Sequence, residues 1–143
     1  MIIQGLTNSF RSEMLKGVHD LETDVLKLAL YTGSATLTFQ TTVYSSVGEV
    51  VAVGYTPGGV VLTGVTILTQ ANVPNVQPAV VYVNFNNAVF SGAFTARGGL
   101  IYNTSKSDKA IAIINFGADK TSTTTFTVGM PPNTASDALL RFP

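Results

Sequence analysis

No cysteine occurs in this chain, which excludes disulfides, thiolate metal ligands and cysteine nucleophiles and leaves the redox compartment open. Histidine occurs once, as His19, so a multi-histidine metal site cannot be assembled within one copy. Charge is also scarce. Charged residues make up 11% of the composition, less than half of the roughly 25% usual for soluble domains. Eight basic residues balance eight acidic ones, so no basic surface is offered to nucleic acid or anionic lipid. Long apolar runs are missing too. Residues 110–114, AIAII, fall far short of the roughly 20 residues a membrane-spanning helix needs. The opening residues MIIQGLTNSFRSEM have neither the basic start nor the apolar stretch of a secretory signal, which gives an expectation of cytoplasmic synthesis.

What is present is apolar but dispersed, with a mean hydropathy of +0.33 and no membrane-length segment. The 143 residues suffice for one domain with a real core. β-Branched and aromatic residues recur between turn signals in residues 25–31, 60–68, 79–85, 99–103, 110–116 and 124–128. In 110–116 both alternating sets are apolar, so that strand is expected to be central and buried on both faces. In 124–128, Phe126 and Val128 alternate with Thr125 and Thr127, a pattern with one buried face. Residues 72–78 (NVPNVQP), 103–109 (NTSKSDK) and 117–123 (GADKTST) read as loops or turns.

One helix is expected over residues 8–18, with Asn8 or Ser9 as cap and Lys16 and Gly17 at the end. Phe10 and Met14 lie one turn apart, and Leu15 and Val18 extend the stripe, which is read as docking on the protein's own sheet. The expected fold is therefore all-β: a single antiparallel β-sandwich domain over 1–143, jelly-roll-like, with residues 8–18 as a short N-terminal helix and 25–143 as the sandwich.

Catalytic motifs fail one by one. His19–Asp20 has no second histidine for a phosphohydrolase-type metal site, and His19 reads as a capping or surface residue. No G-x-S-x-G elbow is present, and adjacent Ser105 and Lys106 do not have the spacing of a Ser–Lys dyad. Asp20, Glu22 and Asp24 lack the glycine and flanking ligands of a calcium loop. Residues 54–59, GYTPGG, lack the Gly-Lys-Ser/Thr of a phosphate loop and run into a strand instead of a helix. They fit a type II turn with Pro57 second, Gly58 third and Gly59 fourth, beside Tyr55 as brace or partner contact. No catalytic residue, cofactor or metal is assigned, and the expectation is a non-enzyme.

Charge distribution is the stronger clue. Between Lys27 and Arg97 the only acid or base is Glu49, in a background of Thr, Val, Asn, Gly and Ala. Desolvating such a surface costs less than desolvating charge, which suits a protein packed against copies of itself or partners. Glu49 and Arg97 sit among apolar neighbours, so an internal ion pair between them is expected; the competing reading sends Arg97 to an acid on another subunit.

Three stretches carry a resemblance: NSFRSEMLKGVHDLETDVLKLALYT at 8–32, YSSVGEVVAVGYTPGGVVLTG at 44–64, and FTARGGLIYNTSKSDKAIAIINFG at 94–117. Taken in order, they resemble small virion structural proteins of tailed bacteriophages, most closely the head decoration or cement proteins of short-tailed phages. The chain departs from that pattern at Asn84 and Phe90, where the resemblance implies Asp and Trp. The resemblance implies a jelly-roll-like sandwich bound as an oligomer, expected to be a dimer, to the major capsid protein on the capsid exterior. Rival expectations are a neck, tail or fibre component, or a carbohydrate-binding module displayed on the virion. Neither nucleic acid nor membrane is an expected partner.

Overall fold

The computed structural model describes residues 1–70 and 80–143. These form β1 (Gly5–Leu6), α1 (Asn8–Leu15), β2 (Leu26–Tyr31), β3 (Val60–Val61), β4 (Thr66–Thr69), β5 (Val81–Asn84), β6 (Ala88–Ser91), β7 (Thr95–Asn103), β8 (Lys109–Thr121), β9 (Thr125–Val128) and β10 (Leu140–Phe142). A five-stranded sheet has the order β1-β8-β7-β2-β3, a second the order β10-β5-β4, and β6 pairs with β9. Every pairing between these strands is antiparallel. The protein is thus predominantly antiparallel β with one α-helix among the described residues.

Several elements differ from their sequence expectations for identifiable reasons. The apolar run at 60–68 divides into β3 and β4, because Gly64 sits at φ 63° and turns the chain. The strand expected at 79–85 is β5, Val81–Asn84; residue 79 and the loop at 72–78 lie outside the described residues. The helix stops at Leu15, with Gly17 at φ 68° behind it. Its cap is Thr7, whose Oγ1 accepts from Phe10 N at 3.2 Å and donates to the Ala110 carbonyl at 3.1 Å. Phe10 is fully buried and Met14 packs partly against the same core, but Leu15 is 92% exposed. At 100° per residue, Leu15, five positions on, lies about 140° round the helix from Phe10.

Strand β8 lies between β1 and β7 and is buried on both faces over Ala110–Ile113. Ile101 lies opposite Ala112 and Tyr102 opposite Ala110, so Ile111 is the extra residue of a bulge. The bulge breaks strict alternation. Ile111 joins the large core containing Phe10, Leu28, Leu30 and Phe90, whereas Ile113, two residues on, joins a second core with Tyr31, Leu37 and Leu100.

The β6–β9 pair is continuous with the outer part of β7–β8. Ala88 lies opposite Val128, Ser91 opposite Thr125, and Ala96 opposite Lys120 in unbroken register. Gly92 N donates to the Thr124 carbonyl at 2.8 Å and Ser122 N to the Phe94 carbonyl at 2.9 Å, closing the gap between the two pairs. Ser122 Oγ pins the corner by donating to the Gly92 carbonyl at 2.7 Å. Beyond Ala96 the register shifts, so that Gly98 faces Asn115. Residues 116–119 of β8 stand against Arg97 alone, an excess of three, with Gly117 at φ 78° in the irregular stretch. One ribbon therefore leaves the five-stranded sheet at this irregularity.

Candidate functional site

The lone acid between Lys27 and Arg97 is taken inside. Glu49 is 6% exposed, and its carboxylate receives three hydrogen bonds. Tyr55 Oη and Gly58 N donate to Oε1 at 2.8 and 2.7 Å, and Tyr44 Oη donates to Oε2 at 2.6 Å. The expected ion pair with Arg97 is not formed. Arg97 Nη1 lies 3.7 Å from Asp119 Oδ1, in a half-exposed pair at the β7–β8 irregularity. Hydrogen-bond donors can satisfy a buried carboxylate without a cation, and three converge here.

These contacts also hold the segment 54–59. Gly59 N donates to the Thr56 carbonyl at 3.0 Å, and Gly58 has φ 87°, the left-handed value a type II turn requires at its third position. Tyr55 is buried and braces the turn, with Oη accepting from Leu30 N at 2.9 Å while donating to Glu49. On the other side, Tyr102 Oη donates to the Gly58 carbonyl at 2.7 Å, and its ring stacks on Tyr44 at 4.6 Å. At Gly59, also at positive φ, an added Cβ would run into the Leu28 carbonyl oxygen. The turn is thus seated directly on β2.

Burial, followed by the nearby Glu49 carboxylate, raises the phenols of Tyr31, Tyr44 and Tyr55 well above their ordinary value. Burial and the Asp108 and Glu49 charges push Tyr102 up to about 12. All four remain neutral hydrogen-bond donors across the physiological range, which suits a cluster that braces the turn. It is a strut.

With Glu49 internal, residues 28–96 present no formal charge to solvent. What they present is valine. Val47, Val51 and Val53 are 81%, 95% and 97% exposed, and Val61 and Val89 are at least half exposed. These segments adjoin: β3 packs beside β6, and the Val53 carbonyl lies against Gly92 at the end of β6. A neutral, aliphatic, loop-and-edge surface of this kind is a candidate interface.

A separate polar cluster joins the helix to the end of β7. His19, expected to be a capping or surface residue, has no exposed side-chain surface. Asn103 Nδ2 donates to His19 Nδ1 at 3.0 Å and to Asp24 Oδ2 at 2.7 Å, while Ser105 N donates to Asn103 Oδ1 at 3.0 Å. That pattern leaves His19 Nε2 as donor to Glu13 Oε2 at 2.7 Å. Lys109 Nζ donates to Glu13 Oε1, also at 2.7 Å. Burial opposes ionisation of Glu13, but the bonds from Lys109 and His19 outweigh it and hold its carboxyl below the ordinary range. Asp24 is held low in the same way by Asn103, the Asp20 amide and Lys106. Ser105 Oγ accepts from Val25 N and Lys106 turns to Asp24, so the adjacent pair forms no dyad. The cluster ties residues 19–25 to the sheet.

Among the described residues no group of three or more His, Asp and Glu side chains is placed to hold a metal ion, and no helix is long and apolar enough to cross a membrane. No protein-family model matches the chain, and neither does any curated protein or solved structure.

Proposed function

We propose that the protein is a non-enzymatic structural component of a tailed-phage virion: a cement protein that binds the exterior of the head and clamps neighbouring major capsid subunits. One observation carries the reading. The single acid in a long uncharged stretch is buried by Tyr44, Tyr55 and Gly58, and the surface left around it displays Val47, Val51 and Val53. A freely diffusing monomer gains nothing from such a surface, whereas an assembled one buries it without desolvating charge. The ordered resemblance of residues 8–32, 44–64 and 94–117 to phage decoration proteins supplies the identity of the assembly.

The architecture that accompanies this reading is a jelly-roll-like sandwich, in which the bent ribbon of β6–β9 carries strands from one layer toward the other. The mechanism is mechanical. Apolar surface buried across capsomer boundaries stabilises the shell against internal pressure, and dimerisation adds avidity by raising the effective concentration of the second site. The test is addition of purified protein to heads stripped of it, followed by thermal rupture. The wild-type protein raises the rupture temperature, and a Val51→Asp, Val53→Asp double variant with an unchanged unfolding midpoint does not. Equal protection by both proteins, or none by the wild type, overturns the proposal.

A further inference from the structure

Apart from the valine face, the molecule carries an open groove of about 420 Å³ beside β9. Its walls are Ile114 and Phe116 of β8, Phe126 and Val128 of β9, and Met130 and Leu139 beyond. Ile114, Phe116, Met130 and Leu139 are only half-buried, so the core is incompletely roofed here. Lys120 stands at one end, exposed and without an ion-pair partner among the described residues.

The second feature is the strand edge along this groove. In an antiparallel ladder, opposite residues alternate between pairs that exchange hydrogen bonds and pairs whose backbone groups point away. Gly92 bonds to Thr124 and Phe94 to Ser122, which makes Phe90–Phe126 and Ala88–Val128 the bonded pairs of β6–β9. The amides and carbonyls of Thr125 and Thr127 therefore point outward. Both residues are exposed, and among the described residues β9 pairs with no strand other than β6. A free edge beside an apolar trough is the geometry of strand addition.

We propose that this groove is a strand-acceptor site: an extended peptide segment of a partner protein pairs with the outward backbone of Thr125 and Thr127, places alternate apolar side chains over Phe116 and Leu139, and sets a carboxylate against Lys120. The free backbone edge selects an extended peptide over a compact ligand, because it offers a row of donors and acceptors at strand spacing. The apolar walls select alternation in the incoming strand, whose side chains point to opposite faces. The unpaired Lys120 selects the sign of charge at that end. The inference does not depend on the virion reading, since it specifies the segment and not the particle that supplies it.

The probe is a library of linear seven-residue peptides panned against the full-length protein. Enriched sequences are expected to alternate apolar residues and to carry an acid in fixed register. Thr127→Pro removes one outward N–H at a position where an edge strand tolerates proline, and weakens the selected peptides by about tenfold or more, the worth of one lost backbone hydrogen bond. Lys120→Glu, which leaves the ladder untouched, switches the selected acid to a base and serves even if the proline variant fails to fold. Absence of enrichment, enrichment without alternation, or peptides that bind the Lys120→Glu variant equally well overturns the proposal. So does saturation of the groove by dodecanoate with no peptide selected, which makes it an amphiphile pocket.

Discussion

Tyr55 Oη stands between the Leu30 amide at 2.9 Å and the Glu49 carboxylate at 2.8 Å, so a single hydroxyl joins the start of the turn to β2 and to the buried acid. Glu49 Oε1 also takes Gly58 N, while Oε2 takes only Tyr44. A glutamine can keep the shared Oε1 acceptor, and the Tyr44 hydroxyl can rotate to accept from the new amide. Glu49→Gln is therefore expected to cost about 1 kcal/mol, and Glu49→Ala about 3 kcal/mol or more, because the alanine orphans all three donors. Urea unfolding followed by tyrosine fluorescence measures both. Equal losses in the two variants would contradict the hydrogen-bonding role.

Gly59 is expected to be the least replaceable residue of the turn. A methyl group there runs into the Leu28 carbonyl, which is ladder backbone and cannot rotate aside, and φ at Gly59 is 76°. Gly59→Ala should destabilise the protein by about 3 kcal/mol or more. At Gly58 the added carbon meets the Tyr102 hydroxyl at 3.1 Å, so Gly58→Ala should cost less. The order of the two midpoints in thermal unfolding is the readout.

Stability should fall at both ends of the pH scale, for different groups. Glu13 and Asp24 have folded values below their ordinary ones, so their contribution is present above about pH 4 and is lost as pH falls through the folded values. Glu13→Gln should flatten that acid limb. The buried tyrosines have folded values above the ordinary one, so their contribution is present below about pH 10 and is lost as pH rises further. Unfolding free energies across the pH range, with the Glu13→Gln variant alongside, test both signs.

Phe10 and Leu15 should separate sharply. Phe10 is fully buried, against His19 at 5.1 Å and Phe142 at 6.4 Å between ring centroids, so Phe10→Ala should cost about 3–5 kcal/mol. Leu15 is almost wholly exposed, and Leu15→Ala should stay within about 0.5 kcal/mol. Calorimetric midpoints of the two variants distinguish a docked face from an ornamental one.

The antiparallel β character and the single N-terminal helix were legible in the sequence because they rest on local signals: alternation, the one-turn spacing of Phe10 and Met14, and proline and glycine punctuation; the cap itself is Thr7 instead of Asn8 or Ser9. Features that depend on distant partners were not. Glu49 among apolar residues signals a buried charge, but the expectation of Arg97 as its partner overlooked Tyr44 and Tyr55, whose hydroxyls look from sequence like any others. His19 read as a surface residue because Asn103, the group that fixes it, is 84 positions away. Strict alternation put Ile111 and Ile113 on one face, and the bulge at Ile111 separates them. The continuity of β6–β9 with β7–β8 is a matter of register across a corner, and no residue type announces it. Nor does composition show that the free edge of β9 lies beside an apolar groove.

The most direct test of the proposed virion role is to image phage particles assembled in the presence of the protein and to read its position and copy number. The expected result is hundreds of copies on the outside of the head, with Val51 and Val53 turned toward the shell or toward a second copy. A dozen copies or fewer confined to one vertex, or Val51 and Val53 facing solvent on every copy, would contradict it.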